Sequence, residues 1–450
     1  MESALSQSLP TDLASRSLRA VWHPCTQMQH HDEVPPLALA SGQGAWLLDT
    51  DGRRYLDAVS SWWVNLLGHA HPRINDAIKQ QLDTLEHAML AGFTHQPAVE
   101  LAERLSALTG HALGHAFYAS DGASAIEIAL KMSHHCWRNQ GLPGKQRFVG
   151  FERGYHGETL GALAVTDIAL FRRAYEPLLR SAQLLPSPDE RLAAPHEDAA
   201  APARRALAAL DELLQRESHA ISAVVVEPLV QCAGGMAMHG PEFIARLAAL
   251  CEAHQVHLIA DEIAVGCGRT GSFFACEQAG VWPHMLCLSK GISAGYLPLA
   301  VVLSRPAIYQ AFHHPDLERG FLHSHSYSGN PLACRAALAM LDVMESERVL
   351  ERNRRLAQSL TAALQPLARH PRVRHFRQRG MIWAFDAGID DPAQRATFAR
   401  RTSQLALQQG LLLRPIGTTV YLMPPYVLDD DEVGLLAERT VRVFDAAVGS

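Results

Sequence analysis

One lysine of the chain stands where a buried amine could act as a nucleophile. Lys290 follows the apolar run Met285–Leu288 and precedes Gly291 and Gly295. Lysine is rarely buried without a reason. Removing its amine from water lowers the pKa and makes the amine reactive toward carbonyl groups. The alternative is a lysine whose charged end reaches solvent from the end of a strand.

Two adjacent carboxylates also follow an apolar run. Asp261 and Glu262 come directly after residues 257–260. A buried carboxylate has to be paired, and its partner could be an arginine, a metal ion or a protonated ring nitrogen. The alternative is a solvated pair at the end of a strand. Asp261 precedes Lys290 by 29 positions, which is the length of one strand–connection–strand unit.

A glycine-containing turn could receive an anion. Gly122 and Ala123 follow the apolar run His115–Ala119 and precede a helical pattern. Glycine lets the backbone come close to a ligand, and the free N–H groups at the start of a helix favour a negative group. The spacing of Ser124 and Glu127 predicts a capping box at that helix start. The alternative is an ordinary capped helix without a ligand.

Two more glycine-containing stretches follow apolar runs. Tyr155, beside Gly154, offers an aromatic ring on a turn, although an ordinary surface turn can have the same composition. Residues 266–271 match the G-x-G-x-x-G pattern of dinucleotide sites. No clear helix follows Gly271, and no acidic residue stands about 20 positions further on, so this pattern does not favour a dinucleotide.

Taken together, these residues are the parts that a pyridoxal 5′-phosphate site needs. Gly122 and Ala123 would hold a phosphate, and Tyr155 would cover a ring. Asp261 would keep the ring nitrogen protonated. Lys290 would bind the cofactor covalently and then carry a proton between substrate and cofactor. The sequence therefore predicts a pyridoxal-phosphate enzyme.

The elements that must position these residues alternate along the chain. Strands are predicted at residues 115–119, 148–151, 221–226, 257–260, 285–288 and 300–303. Helices are predicted at residues 124–137, 202–217, 241–254 and 331–347. This alternation predicts an α/β fold with a doubly wound, mostly parallel sheet. In such sheets ligands bind beyond the carboxyl ends of the strands, which is where the candidate residues stand.

The remaining segments predict a second, smaller domain. We expect a large cofactor-binding domain at residues 71–345 and a small α+β domain built from residues 1–70 and 346–450. A strand at residues 420–423 precedes a final helix, and Asp429, Asp430 and Asp431 suit the positive N-terminal end of that helix. Residues 187–201, rich in alanine, proline and charge, are expected to form an exposed connection.

Composition excludes several classes of protein. The chain has 450 residues, of which 48% are hydrophobic and 19% charged, so a globular fold is expected. A net charge of -6 argues against a nucleic-acid partner. No apolar run is long enough for a membrane span, and residues 1–4 do not begin a signal peptide. The eight cysteines form no C-x-x-C pair, which is typical of a cytoplasmic protein. The 24 histidines include no H-E-x-x-H motif, so no metal site is predicted.

The chain resembles the class III, or omega, aminotransferases of the fold-type I pyridoxal-phosphate enzymes. The resemblance extends from residue 22 to about residue 426 and rests on five stretches. These are WHP at 22–24, SSWW at 60–63, ADEIA at 260–264, GNPLAC at 329–334 and YLMPPY at 421–426. Many members have glutamine where this chain has Ala264. Alanine there is similar to the members that act in biotin biosynthesis.

The resemblance implies a role for each site residue. Lys290 and Asp261 keep the roles given above, Tyr155 and Ile263 pack on the two faces of the cofactor ring, and Gly122 and Ala123 bind the phosphate through backbone N–H groups. His325 and Ser326 would reach the cofactor phosphate of a neighbouring subunit, so the resemblance implies a homodimer. The implied substrate-binding residues are Cys25, Trp62, Tyr155, Lys290, Ser324, Arg414 and Tyr421. Glu227 and Arg269 would be supporting polar groups.

The resemblance also implies an activity. The amino group of S-adenosylmethionine would pass to the cofactor and then to 8-amino-7-oxononanoate, giving 7,8-diaminononanoate in a ping-pong scheme. The alternatives are a class III aminotransferase that uses lysine or a diamine as donor, and a pyridoxal-phosphate aminomutase or racemase. Cys25 stands where the family often has tyrosine, which puts the choice of donor in doubt because a thiol cannot replace a phenol. Ala123, Glu158 and Ser326 are milder departures.

Overall fold

Buried apolar runs build a seven-stranded sheet at the centre of the computed structural model, which describes residues 12–449. In spatial order its strands are His115–Ala119, Ala300–Ser304, Met285–Leu288, His257–Asp261, Ile221–Val226, Arg147–Phe151 and Gln183–Leu185. Ala300–Ser304 runs antiparallel to both of its neighbours, and the other pairs are parallel. The predicted α/β class with a mostly parallel sheet is confirmed.

Both faces of this sheet are covered, because neighbouring residues of one strand belong to different apolar clusters. Val224 and Val226 pack in the larger cluster, whereas Ala223 and Val225 pack in the smaller one. All six residues of Ile221–Val226 are buried, as expected for a parallel strand between two helical layers. The helices of this part of the chain are Gly122–Asn139, Leu160–Val165, Ala169–Arg172, Ala201–Glu217, Pro241–Ala253, Pro306–Gln310 and Pro331–Ser346.

The two ends of the chain meet in a second sheet. Leu411–Leu412 pairs in parallel with Arg54–Asp57, and the full order is Leu39–Gln43, Trp46–Asp49, Arg54–Asp57, Leu411–Leu412. A third sheet contains Val373–Arg379, Ile382–Ala387 and Thr419–Leu422, and Val230–Gln231 pairs with Ala237–Met238. The division at residues 70 and 345 stays a prediction that this pairing supports. Residues 1–11 and 450 lie outside the described range. The expectation about a signal peptide concerns residues 1–4 and therefore falls on residues that the structure does not describe.

Along the chain, the remaining helices come before, between and after the strands of these smaller sheets. They are Leu13–Ala20, Pro72–Leu82, Gln96–Leu108, Val349–Ala363, Gln365–Ala368, Pro392–Gln408 and Asp430–Val448. Short 3-10 helices are Met28–Asp32, Arg173–Leu178, Glu190–Leu192, Ala275–Ala279, Lys290–Ser293 and Leu317–Arg319. Ser60–Trp63 forms a single left-handed turn. Among the helices of residues 12–449, none combines the length and apolarity that a membrane crossing requires.

One sequence-based expectation about the connections was wrong. Residues 187–201 do not form an exposed connection throughout, because Ser187 and Asp189 are each only 1% exposed. Asp189 is buried as the acceptor for Arg153 and Arg191, so charges that seemed solvated are paired with each other. The strand Gln183–Leu185 just before this segment escaped prediction, since three residues are too short to show a periodic pattern.

A network of half-buried charges joins this segment to the third sheet. Asp386 binds Arg191 at 3.1 Å and Arg377 at 3.2 Å, and it accepts a hydrogen bond from Thr419 Oγ1 at 2.7 Å. Burial opposes the charge of Asp386, but Arg377 and Arg191 hold its pKa below the ordinary value. Arg377 also donates to the carbonyl oxygens of Gly235 and Met236. Removal of Asp386 would leave the Arg377 guanidinium without a carboxylate partner, whereas Arg191 would keep Asp189.

We therefore expect Asp386→Ala to lower the free energy of unfolding by about 3 kcal/mol, as breaking a buried ion pair does. The measurement is urea unfolding followed by circular dichroism. Asp198→Ala is the control, because Asp198 also holds an arginine, Arg204, but both side chains are exposed. Its unfolding midpoint should stay close to that of the wild type. Equal losses in the two variants would contradict a structural role for the Asp386 network.

Candidate active site

A cavity of about 580 Å³ opens at the carboxyl ends of the central strands. His257–Asp261 and Met285–Leu288 end beside it, and the helix Gly122–Asn139 begins there. The cavity is lined by eight of the predicted site residues, namely Cys25, Trp62, Gly122, Ala123, Tyr155, Asp261, Ile263 and Lys290. The structure therefore brings together residues that are up to 265 positions apart in the chain.

Lys290 brings an unpaired amine into this cavity. Its side chain is half-buried, and Nζ lies 5.3 Å from the centroid of the Trp63 ring. Desolvation lowers the pKa of the amine below its ordinary value, although the negative charge of Asp261 acts in the opposite direction. Nζ has no hydrogen-bond partner within the described part of the chain. An amine in this setting is available to react with a carbonyl group.

The amines of the other lysines all have hydrogen-bond partners. The whole chain contains only four, which are Lys79, Lys131, Lys145 and Lys290. Lys79 and Lys131 are exposed on helices and pair with Asp76 and His323. Lys145 is buried, but its Nζ donates to the carbonyl oxygens of Ser218, Ile221 and Gln255. Lys290 is thus the lysine whose amine faces a cavity.

Asp261 ends its strand as a buried carboxylate with an unexpected partner. Its Oδ2 is hydrogen-bonded to His156 Nδ1 at 2.7 Å, and its Oδ1 accepts from the backbone N–H of Ile263 at 3.1 Å. Burial disfavours a charged imidazole, but the hydrogen bond and charge of Asp261, with Glu227 nearby, raise the pKa of His156. The sequence analysis assigned no role to His156, which follows Tyr155 directly and also lines the cavity. No local pattern indicates its contact with Asp261, because the two residues are 105 positions apart.

The turn at Gly122 exposes the start of a helix of 18 residues. A side chain at Gly122 would have its Cβ 2.9 Å from Ile263 Cγ2, so only glycine fits between the helix start and that isoleucine. The predicted capping box was wrong. Asp121 is the N-cap and accepts from the N–H and the hydroxyl of Ser124, and Glu127 instead accepts from the N–H of Gly161. The helix begins earlier than the spacing implied, so Ser124 is already inside it.

Tyr155 is held at the cavity wall by two glutamates. Its backbone N–H donates to Glu227 Oε2 at 3.0 Å, and its hydroxyl donates to Glu158 Oε1 at 2.9 Å. Glu227 also accepts from the N–H of Cys232 at 2.9 Å, and burial raises its pKa to about 7. Burial likewise raises the pKa of Tyr155. The Tyr155 phenol is therefore a neutral hydrogen-bond donor. Its ring position is fixed because one glutamate holds its backbone N–H and another holds its hydroxyl.

The mouth of the cavity is its edge at Cys25 and Trp62, where Arg414 lies against both residues without lining the cavity itself. The guanidinium carbon of Arg414 lies 4.3 Å from the centroid of the Trp62 ring, and Arg414 Nη2 donates to the carbonyl oxygen of Cys25 at 3.4 Å. Tyr421 does not line the cavity. It is buried behind Trp63, whose Nε1 donates to the Tyr421 hydroxyl at 3.1 Å.

Three further predicted residues also lie outside the cavity of their own chain. Ser324 and Ser326 are exposed, and neither lines the cavity. His325 is half-buried, with Nδ1 3.3 Å from the hydroxyl of Ser120, which does line it. Their action on a neighbouring subunit stays a prediction.

The glycine-rich stretch at residues 266–271 serves the structure instead. Arg269, within it, is only 1% exposed and donates to the carbonyl oxygens of Pro424, Trp63 and Asn65. No helix follows directly, because the next element is the short 3-10 helix Ala275–Ala279. The rejection of a dinucleotide site on sequence grounds agrees with this geometry. Arg269 thus holds the loop that carries Trp63 and Asn65 through their carbonyl oxygens, and it does not line the cavity.

A family model described as aminotransferase class-III matches residues 27–444. This chain belongs to the class III aminotransferases. Proteins named adenosylmethionine-8-amino-7-oxononanoate aminotransferase are similar to it. The protein from Helicobacter pylori is 43% identical over 96% of this chain and 98% of its own length, and that from Synechococcus elongatus is 42% identical over 92% and 95%. The family predicted from the sequence is confirmed.

Solved structures give the same result for the fold. The Methanocaldococcus jannaschii enzyme of the same name aligns with a TM-score of 0.90 at 32% identity, covering 97% of this chain and 99% of its own. An amine transaminase from an uncultivated Pseudomonas species, solved in its pyridoxal-phosphate-bound form, gives 0.89 at 32% identity over 95% and 99%. Class III aminotransferases depend on pyridoxal 5′-phosphate, so this aminotransferase is an enzyme with that cofactor.

The cavity fits this cofactor on three structural observations. Lys290 Nζ is unpaired within residues 12–449, Asp261 is a buried acid held by His156, and the space at Gly122 admits no Cβ. A second carboxylate, Glu262, lies just outside and faces away. It accepts from the backbone N–H groups of Ala275 and Cys276, and burial raises its pKa to about 7.

Glu262 therefore predicts a specific pH dependence of stability. Its pKa is raised from 4.5 to about 7 in the folded state, so its stabilising contribution is complete below about pH 4.5 and is lost as the pH rises through 7. Glu262→Gln cannot titrate. The free energy of unfolding of the wild type relative to this variant should fall by about 3 kcal/mol between the two limits. Urea unfolding of both proteins between pH 5 and 8 measures it. Parallel pH curves would contradict the raised pKa.

Proposed function

We propose that this aminotransferase transfers the amino group of S-adenosylmethionine to 8-amino-7-oxononanoate, giving 7,8-diaminononanoate in biotin biosynthesis. The observation that carries the proposal is the 43% identity, over nearly the full length of both chains, to a relative named for these two substrates. The cavity supports it, because it gathers a reactive lysine, an acid and a glycine-lined helix start in one place.

Lys290 is proposed as the residue that binds pyridoxal 5′-phosphate covalently. When bound, the cofactor supplies a carbonyl group that reacts with amines and a ring that accepts electrons from the reacting carbon. Desolvation lowers the pKa of Lys290, which raises the unprotonated share of its amine, the form that a nucleophile and a base both require. With the cofactor bound, Lys290 Nζ would take a proton from the substrate carbon and pass it to the cofactor.

Asp261 is proposed to hold the proton on the ring nitrogen. Only its Oδ1 and the free lone pairs of Oδ2 remain for the cofactor, because His156 occupies one side of Oδ2. Burial opposes a charge on His156, but the hydrogen bond and negative charge of Asp261 raise the pKa of this imidazole, so the two groups attract each other. His156 is therefore proposed as a positioning residue that fixes the plane of the Asp261 carboxylate. Tyr155 and Ile263 would lie against the ring faces.

The phosphate is proposed to bind at the start of the helix Gly122–Asn139. The backbone N–H groups of Gly122 and Ala123 have no carbonyl partner within their own helix, and both residues line the cavity. The helix dipole adds positive charge at this end. Since the contact is made by the backbone, alanine at position 123 is compatible with it.

Both substrates must use the same cavity in turn, which a ping-pong reaction requires. Trp62 and Arg414 form its mouth, and a guanidinium group binds a carboxylate through two parallel hydrogen bonds. We therefore propose that Arg414 binds the substrate carboxylate beside Trp62. Cys25 and Tyr421 complete the substrate pocket, Cys25 at the mouth and Tyr421 through its hydrogen bond to Trp63. Ser324 is proposed to contribute through its backbone.

A homodimer with shared sites is part of the proposal. Around Ser326, the side chains of Leu317, Leu322 and Tyr327 are between 65% and 74% exposed. The ring of Tyr327 lies 4.9 Å from that of His87, so the segment continues into a second exposed apolar stretch at residues 89–93. A large exposed apolar patch favours contact with another protein surface. A second copy of the chain would cover it and receive His325 and Ser326 at its cofactor phosphate.

A cytoplasmic location is also proposed. All eight cysteines are free, and seven of them are buried. Unpaired cysteines are typical of a reducing compartment. The substrates proposed here are small molecules, and no nucleic acid or membrane partner is required for the reaction.

The proposed donor is tested by the visible spectrum of the purified holoenzyme. S-adenosylmethionine should abolish the absorption band of the lysine-bound cofactor, and 8-amino-7-oxononanoate should restore it. Lysine and a diamine such as putrescine are tested in parallel as donors. Each half-reaction is followed by stopped-flow absorbance.

Three results would contradict the proposal. A band that responds to lysine or putrescine and not to S-adenosylmethionine would make the chain another class III aminotransferase. Formation of a product from one substrate, without an acceptor, would make it an aminomutase or racemase. A protein that binds no pyridoxal phosphate would remove the basis of the mechanism.

Arg414→Lys is expected to raise the KM for 8-amino-7-oxononanoate roughly tenfold with a smaller change in kcat, because lysine cannot form two parallel hydrogen bonds. Arg442→Lys is the control, since Arg442 is exposed and pairs with Glu438 away from the cavity. Steady-state kinetics at saturating donor measure both variants. An unchanged KM in Arg414→Lys would exclude the carboxylate contact.

A further inference from the structure

The two tryptophans beside the cavity stand on an unusual backbone. Ser60, Ser61, Trp62 and Trp63 have φ values of 50°, 45°, 71° and 73°. The N–H of Trp63 donates to the carbonyl oxygen of Val59 at 2.8 Å, and that of Val64 donates to Ser60 at 3.0 Å. The segment is therefore one turn of left-handed helix made entirely of residues other than glycine.

Such a turn does not form on its own. In the left-handed conformation each Cβ lies too close to the following carbonyl oxygen, so only single residues adopt it routinely. Four consecutive residues persist only if the surrounding structure holds them. The question is therefore which contacts hold Ser60–Trp63.

A buried carboxylate at the entrance of the turn provides most of those contacts. Asp57 is fully buried, and its Oδ1 accepts from the N–H groups of Val59 at 3.2 Å and Ser61 at 3.0 Å. Its Oδ2 accepts from the Ser61 hydroxyl at 2.8 Å and is 3.0 Å from His69 Nε2. A carboxylate offers acceptors on both oxygens, so an amide cannot replace it at all these partners.

The far side of the turn is fixed separately. The hydroxyl of Ser60 donates to the carbonyl oxygen of Met423 at 2.8 Å. His69, the fourth partner of Asp57, is held by Asn65 through a 2.9 Å contact to its Nδ1. The turn is thus tied to its own loop by Asp57 and to the third sheet by Ser60.

The turn decides where both tryptophans stand. Trp62 lines the cavity with Arg414 over its ring, and the next residue, Trp63, lies 5.3 Å from Lys290 Nζ. The two successive tryptophans therefore lie in different parts of the cavity wall, and both stand on the left-handed turn.

We propose that Asp57 is a positioning residue for the aminotransferase reaction. Asp57 does not contact the substrate itself. It holds the left-handed turn Ser60–Trp63, and this turn keeps Trp62 at the substrate position. This inference rests on the proposed function, since it assigns Trp62 to the substrate pocket. Lys290 is positioned by other elements of the fold and not by this turn. We therefore expect loss of Asp57 to weaken substrate binding more than cofactor binding.

The test compares Asp57→Asn with Asp49→Asn in the holoenzyme. Asp49 is a matched control, because it is also buried, lies in the same sheet, and accepts from the N–H groups of Asp51 and Arg53 and from the Tyr55 hydroxyl. We expect Asp57→Asn to raise the KM of the amino donor roughly tenfold, with the visible band of the lysine-bound cofactor retained. Asp49→Asn should keep its KM within twofold of the wild type, because none of these hydrogen bonds reaches the turn.

Two further variants extend the test, and the first of them does not depend on whether Asp57→Asn folds. Ser61→Ala removes one of the four contacts and should raise the same KM by roughly threefold. Adding Ser61→Gly to Asp57→Asn should return the KM part of the way to the wild-type value, because glycine adopts positive φ without strain. A merely structural role of Asp57 would change stability and leave the KM values alike.

The donor in these assays is whichever amine discharges the cofactor of the wild type. If the wild type uses a donor other than S-adenosylmethionine, the proposed function fails while the role of Asp57 is still tested with that donor. The inference about Asp57 is overturned if Asp57→Asn keeps a wild-type KM, or if Asp49→Asn raises the KM equally.

Discussion

One lysine amine that stays unpaired is the constraint on which the rest of the structure depends. Almost every other buried charged side chain of residues 12–449 forms hydrogen bonds or an ion pair. Burial lowers the pKa of Lys290, and no residue between 12 and 449 donates to or accepts from its Nζ. The central sheet makes this possible. Asp261 lies opposite Cys287 in parallel register, so the acid and the lysine leave neighbouring strands at the same edge. Their attraction acts across the cavity without forming a closed ion pair.

The surrounding charges are arranged so that none of them neutralises this amine. His156 takes one oxygen of Asp261, and Glu227 is occupied by the backbone N–H groups of Tyr155 and Cys232. The smaller sheets then supply the apolar and aromatic side of the cavity. The hairpin near the N-terminus carries Trp62 and Trp63 on a strained turn, and the C-terminal strands bring Tyr421 behind it. One site thus needs both ends of the chain.

The sequence predicted the features that depend on local pattern. The strand ends near Asp261 and Lys290 and the helix after Gly122 follow from periodicity and motif. It did not predict the contact of His156 with Asp261, because these residues are 105 positions apart. Nor did it predict the left-handed turn, since serine and tryptophan carry no sign of positive φ. The sequence predicted a strand at residues 300–303 but not its antiparallel direction, because strand direction is set by the connection and not by composition.

The most direct test of the account is to locate the covalently bound cofactor. The holoenzyme is reduced with sodium borohydride, digested with a protease and examined by mass spectrometry for a pyridoxyl-phosphate adduct. With four lysines in the chain, the result is unambiguous. The account predicts the adduct on Lys290 alone. An adduct on Lys79, Lys131 or Lys145, or none on Lys290, would contradict it.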